Sequence, residues 1–190
     1  MKNLVEIRCD DVLQTSLLTK DQIKRTQNKT LFEWFKEIDK VFEEYNYPMT
    51  LAILEEGIDK NPEWTEYIKK NQHRYKIEMH GREHIRYGEL NKEDLFDDLF
   101  WAKKRIECEF QTKISTWYVP FGRKGRNKYA GEICRALGIK VGIPEEKVDE
   151  TRWLCLYEKT GKIPFNHINF HFWHESQNNK IKQILEICNK

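Results

Sequence analysis

The chain has 190 residues, 39% of them hydrophobic and 13% aromatic, which suits one packed domain and excludes a disordered segment. Its 33 basic and 31 acidic residues leave a formal charge of +2, with no basic field of the kind that marks a nucleic-acid binder. No apolar stretch approaches the ~18 residues of a membrane span and the Met1 to Glu6 run has no apolar signal core, so a cytoplasmic protein is expected.

Leu4 to Cys9 alternates apolar and polar residues and is predicted to be the first strand, delivering Asp10 and Asp11 at its exit. Thr30 and Glu33 form a capping box ahead of an apolar stripe through Phe35, Ile38 and Phe42, so a helix starts there and ends before Pro48. Met49 to Leu54 is a second, buried strand, and Pro62 opens a short helix reaching Lys70. Tyr75 to Met79 alternates again and leads to His80 and His84 on a turn at the strand's end. On a helical turn, residues four apart share a face, so both imidazoles can reach one ion. Asn91 caps the longest helix, whose apolar side carries Leu95, Leu99, Ala102 and Ile106. A fourth strand, Lys113 to Val119, runs into the loop Pro120-Phe121-Gly122-Arg123. A helix from Lys128 to Leu137 stops at Gly138, and Ile139 to Ile143 is a fifth strand. Trp153 to Tyr157 reads as a sixth strand, His167 to Trp173 as a seventh, and Ser176 to Cys188 as a final amphipathic helix.

This alternation of strand and helix predicts a single α/β domain over residues 1–190 with parallel strands. Right-handed crossovers gather the strand exits on one rim, and with them Asp10, Asp11, His80, His84, the Pro120 loop and the late histidines. The five cysteines (Cys9, Cys108, Cys134, Cys155 and Cys188) are widely spaced with no Cys-xx-Cys pair, as reduced thiols are.

Asp11, His80 and His84 supply one carboxylate and two imidazoles, a set that suits zinc, iron(II) or cobalt and leaves coordination positions open for water and substrate. An open-site metal acidifies bound water and polarises a carbonyl, with Asp10 available as general base and a late histidine as general acid. Taken one at a time, these residues are also what an Asx turn, an exposed histidine pair and a plain turn look like. As an ordered set at successive strand exits they point to a site.

That set resembles the polysaccharide deacetylase family, the NodB-homology carbohydrate esterases. The family's Asp-Asp motif is matched by Cys9-Asp10-Asp11-Val12. Its His-xxx-His motif is matched by His80 and His84, with Gly81, Glu83, Tyr87 and Leu90 fitting its more distant members, and its Pro-aromatic-Gly loop by Pro120-Phe121-Gly122. The resemblance implies a distorted, here incomplete, (β/α) barrel in a short and divergent member. It implies Asp10 as base and Asp11, His80 and His84 as metal ligands, with zinc first and cobalt, nickel and iron(II) as alternatives. Pro120, Phe121 and Gly122, with Arg123 just past the loop, are expected substrate contacts, and Trp153 and Trp173 are candidate sugar-stacking platforms, though aromatic residues are more often core. The acid is either His171, three residues after Ile168, or His174. Strand alternation puts His167, Asn169 and His171 on one face and His174 on the other or past the end, so His171 is preferred.

Two departures stand out. Val12 replaces the glycine that usually follows the Asp pair, and Tyr118 stands where the third motif usually has an arginine that orients the base, leaving Arg8 or Arg123 as substitutes. The function implied is metal-dependent removal of acetyl groups from N- or O-acetylated sugars, metal-bound water attacking the acetyl carbonyl. The partner expected is an acetylated carbohydrate, with neither nucleic acid nor membrane. Two alternatives stay open: a catalytically impaired carbohydrate-binding protein on the same fold, or another metallohydrolase, such as a phosphoesterase, on a similar barrel.

Overall fold

The structure is a computed structural model that describes residues 5–14, 29–142, 149–172 and 175–189. Its strands are β1 (Glu6–Val12), β2 (Met49–Leu54), β3 (Tyr75–Gly81), β4 (Thr116–Tyr118), β5 (Lys140–Gly142) and β6 (His167–Phe170). They form one parallel sheet in the order β5-β4-β3-β2-β1-β6, an incomplete (β/α) barrel of the kind expected. β1 is buried from Ile7 onward and β2 throughout, as strands covered on both faces must be.

The chain divides into two compact units, and the boundary falls inside β1 and at the start of β2. One unit comprises Met1–Cys9, Leu17–Thr50 and Lys147–Lys190. It holds helices α1 (Leu31–Glu44), α6 (Glu150–Thr160) and α7 (Glu175–Cys188) beside β6. The Thr30–Glu33 capping box starts α1 as predicted. Phe42 of α1 then stacks on Phe170 with centroids 6.1 Å apart, and Phe35 meets the edge of Phe172 at 5.8 Å. β1 and β6 are in register from Glu6 opposite His167 to Cys9 opposite Phe170.

The other unit comprises Asp10–Ser16 and Leu51–Glu146. It carries α2 (Gly57–Lys60), α3 (Pro62–Lys70), α4 (Lys92–Phe110) and α5 (Ala130–Ala136) around β3, β4 and β5. Asn91 caps α4 by accepting the Asp94 N–H at 2.9 Å, and Leu95, Leu99, Ala102, Ile106 and Phe110 face inward where the helix packs on β3. The buried carboxylate of Glu78 ties β3 to β4, accepting the N–H groups of Ser115 and Thr116 at 2.9 and 2.7 Å and the Ser115 hydroxyl.

Several predicted elements are corrected. Trp153 to Tyr157 is not a strand; it lies inside α6. The apolar run Trp-Leu-Cys-Leu-Tyr satisfies either period, and its flanks decide: Asp149 accepts the Arg152 N–H at 2.9 Å as N-cap, and Gly161 ends the helix in a left-handed conformation. β4 is shorter than predicted, β5 starts at Lys140 rather than Ile139, and α5 starts at Ala130 rather than Lys128. β6 ends at Phe170, so His171 stands just past the strand; Trp173, His174 and Ile143 lie outside the described residues.

Candidate metal centre

The site is built at the exits of β1 and β3. Asp10 and Asp11 are both buried, and Asp11 adopts a left-handed φ of 60°, a conformation that costs a non-glycine residue about 1–3 kcal/mol and persists where surrounding structure enforces it. His80 is the last residue but one of β3, and Gly81 follows it with φ 116°. That angle turns the chain sharply, so His84 comes back toward His80 through a bend, with no helical turn between them. The predicted shared helical face is therefore corrected; a glycine-made bend brings the two rings together, with centroids 5.5 Å apart.

Both rings point at one atom. Asp11 Oδ1 lies 3.1 Å from His80 Nε2 and 3.2 Å from His84 Nε2, and all three donor atoms fall within 4.8 Å of one another. Ligands about 2.0–2.2 Å from a tetrahedral zinc stand roughly 3.3–3.5 Å apart, so the two measured separations suit a shared cation. The other nitrogen of His80 adds to the fit. Nδ1 lies 2.8 Å from the carbonyl oxygen of Tyr118, which can only accept, so Nδ1 carries a proton and, in the neutral ring, Nε2 is the nitrogen whose lone pair a cation would take. An oxygen and two nitrogens of this kind fit zinc, cobalt, nickel or iron(II).

The third predicted motif reaches the same place. The ring of Phe121 stands edge-on to His84 with centroids 4.5 Å apart, is half exposed, and has a left-handed φ of 59°. Pro120 beside it is buried and Gly122 opens a short 3-10 helix, Gly122–Gly125. Arg86 lies over the Phe121 ring, its guanidinium carbon 6.0 Å from the centroid. Strained backbone at both Asp11 and Phe121 is a pattern that clusters at functional sites.

His171 is half-buried and belongs to the unit that holds β6. Trp153 is fully buried, donates its indole N–H to the Phe165 carbonyl at 3.1 Å and stacks on Tyr157. Arg123 lies within the 3-10 helix, with its side chain outside the described ones.

Sequence reasoning missed two contributors. One is the Tyr118 backbone carbonyl, which no side-chain pattern reports. The other is Asp98 on α4, whose Oδ1 accepts the Tyr87 hydroxyl at 3.0 Å. Burial raises the pKa of both groups, and the neighbouring Asp98 charge adds to the rise at Tyr87.

Residues 14–142 match the family model for polysaccharide deacetylase. The chain belongs to the polysaccharide deacetylase family. The matched range contains His80, His84 and the Pro120 loop and begins just after Asp11, so the Asp10–Asp11 pair rests on the geometry above. No curated protein matches the sequence. Among solved structures, a carbohydrate esterase family 4 pseudoenzyme from Bacillus anthracis is similar with a TM-score of 0.72 at 13% identity, over 98% of this chain and 60% of that one. The peptidoglycan deacetylase PdaC from Bacillus subtilis is similar with a TM-score of 0.65 at 13% identity, over 98% and 83%. A family 4 carbohydrate esterase from Streptomyces lividans, bound to acetate, has a TM-score of 0.66 at 12% identity, over 97% and 86%. The chain thus spans about three fifths of the pseudoenzyme's length, and likeness at these identities shows the fold alone. Among the described residues, no helix is long and apolar enough to cross a membrane.

Proposed function

We propose that this protein is a metal-dependent carbohydrate deacetylase, that Asp11, His80 and His84 hold its divalent cation, and that residues 1–190 work as one domain. The observation that carries the reading is the convergence of two histidine Nε2 atoms, at 3.1 and 3.2 Å, on one buried carboxylate oxygen in a chain of this family. A cation bound there, zinc first among the candidates, supplies Lewis acidity, lowering the pKa of bound water and polarising an acetyl carbonyl.

The chain's own residues do the rest. Asp10, buried beside Asp11 in sequence, takes the proton of the attacking water. Phe121 and the backbone of Pro120 and Gly122 form the wall against which the acetyl group rests, and the exposed half of the Phe121 ring excludes water from that side. Arg123 and Trp173 are proposed as further contacts to the sugar. His171, or His174 in its place, returns a proton to the leaving amine or alcohol. The substrate class is an N- or O-acetylated sugar or glycan. Acetate release from acetylated chitooligosaccharides by zinc-loaded protein, compared with the same protein stripped by chelator, tests the reading; no release in either form sinks it.

A second reading is favoured by one residue. Tyr118 stands where the resemblance expects an arginine to orient the base, which leaves room for a member that binds metal and glycan without turning over. Glycan binding with metal bound and no acetate released selects that reading.

A further inference from the structure

We propose that Tyr87 and Asp98 are positioning residues that set the metal affinity of the Asp11–His80–His84 centre by clamping the three-residue bridge between its two histidines. The proposal rests on reading that centre as a cation site.

The bridge, Gly81-Arg82-Glu83, is not helical, so no helical ladder fixes the separation of the two imidazoles. Other contacts fix it instead. On one side, the backbone N–H groups of Glu55 and Glu56 donate to the carbonyls of Gly81 and Arg82 at 3.1 and 3.0 Å. On the other, the Tyr87 hydroxyl accepts the N–H of Arg82 at 2.9 Å, with the Glu83 N–H at 3.4 Å, and donates to Asp98 Oδ1 at 3.0 Å. The Glu83 carbonyl lies 3.1 Å from the same hydroxyl. A Cβ at Gly81 would collide with that hydroxyl, so the oxygen is packed directly on the backbone that leaves His80.

The clamp is itself held rigidly. Tyr87 is fully buried, and its ring stands edge-on to Trp117 of β4 at 5.2 Å. Its carbonyl accepts from the buried Asn127 side chain at 2.8 Å, which also donates to the Leu90 carbonyl at 2.7 Å. Asp98 projects from α4, the longest helix of the unit. One hydroxyl thus transmits the position of a helix and a strand to the short arm that carries His84. Metal ligands need to be held within about 0.5 Å of productive geometry, so slack in this bridge is read as weaker binding.

The test is equilibrium competition for zinc between the apoprotein and a chromophoric chelator, with visible absorption of the cobalt(II)-loaded protein as a second readout. Tyr87→Phe removes one oxygen and keeps the ring against Trp117. Its zinc Kd should rise about 10–100-fold, with an altered cobalt spectrum, while the circular dichroism of the apoprotein is unchanged. Asp98→Asn keeps an acceptor for the hydroxyl and should bind like the parent; Asp98→Ala should weaken binding in the same direction as Tyr87→Phe. If Tyr87→Phe fails to fold, the two Asp98 variants decide. A parent that binds zinc, with Tyr87→Phe or Asp98→Ala giving the same Kd and the same cobalt spectrum, overturns the positioning role alone. A parent that binds no zinc overturns the metal centre and the clamp with it.

Discussion

His80 donates its Nδ1 proton to the carbonyl oxygen of Tyr118 across 2.8 Å, so the residue that replaces the expected arginine still serves the site through its backbone. That bond fixes both the tautomer and the ring orientation. If the proposed metal centre is right, His80→Ala removes one of its three ligands, and two protein ligands rarely retain zinc in an open site. The expected result is loss of stoichiometric zinc by elemental analysis, where the parent carries one zinc per chain. Unchanged metal content in the variant would sink the assignment.

Asp10→Asn tests the proposed base apart from the proposed ligand. The two side chains are nearly isosteric, so fold and metal content should persist while turnover falls about 10²–10⁴-fold, because an amide takes up no proton. Deacetylation at a rate near that of the parent would assign the base elsewhere.

Much of this site was legible in the sequence, and what was not has physical reasons. Thr30 with Glu33, Asn91, and the Pro120 loop announce themselves because caps and turns are local chemistry. The histidine pair was readable as a pair but not as a bend, since the outcome hangs on one glycine angle, φ 116° at Gly81. The run from Trp153 to Tyr157 fits a strand or a helix equally, and Asp149, the N-cap just ahead of it, decides for the helix. Asp98 was invisible because its bond to Tyr87 joins α4 to the 3-10 helix Tyr87–Glu89, eleven residues earlier, a tertiary pairing that no local period encodes.

Glu78 is expected to matter for stability. Its carboxylate is 1% exposed and accepts two backbone N–H groups from Ser115 and Thr116, besides the Ser115 hydroxyl and a Lys76 ammonium at 3.1 Å. Glu78→Ala strands those donors at the start of β4, at a cost of about 3 kcal/mol. Chemical denaturation should show a lower midpoint with little change in slope; an unchanged midpoint would mean that water replaces the carboxylate freely.

Thiol reactivity should follow burial. Cys108 and Cys155 are exposed, while Cys9 and Cys134 are buried, and burial pushes the Cys134 thiol up to about 12. A raised pKa leaves little thiolate at neutral pH, so Cys134 is doubly protected. Burial raises Cys188 as well, partly offset by its bond with Tyr47. A chromogenic disulfide reagent should modify Cys108 and Cys155 rapidly in native protein, and Cys9 and Cys134 only after unfolding. Fast labelling of Cys134 in the native state, located by peptide mapping, would contradict the packing of α5.

The general acid is the last question the chain poses. It must lie within hydrogen-bond reach of the leaving atom, on the side of the acetyl group away from Asp10. His171 follows β6 directly, half-buried, with the parity of Asn169 and His167 on the strand before it. It is the first residue after β6, whose register with β1 runs to Phe170 opposite Cys9. His171→Ala should therefore cost about 10²–10⁴-fold in turnover with zinc content unchanged, and His174→Ala much less. Substrates with a good leaving group need no acid, so an activated aryl acetate should be hydrolysed by the His171→Ala protein at close to the parent rate. A large loss confined to His174→Ala would transfer the role to His174, and full activity on acetylated sugars in both variants would remove the late histidines from the reaction.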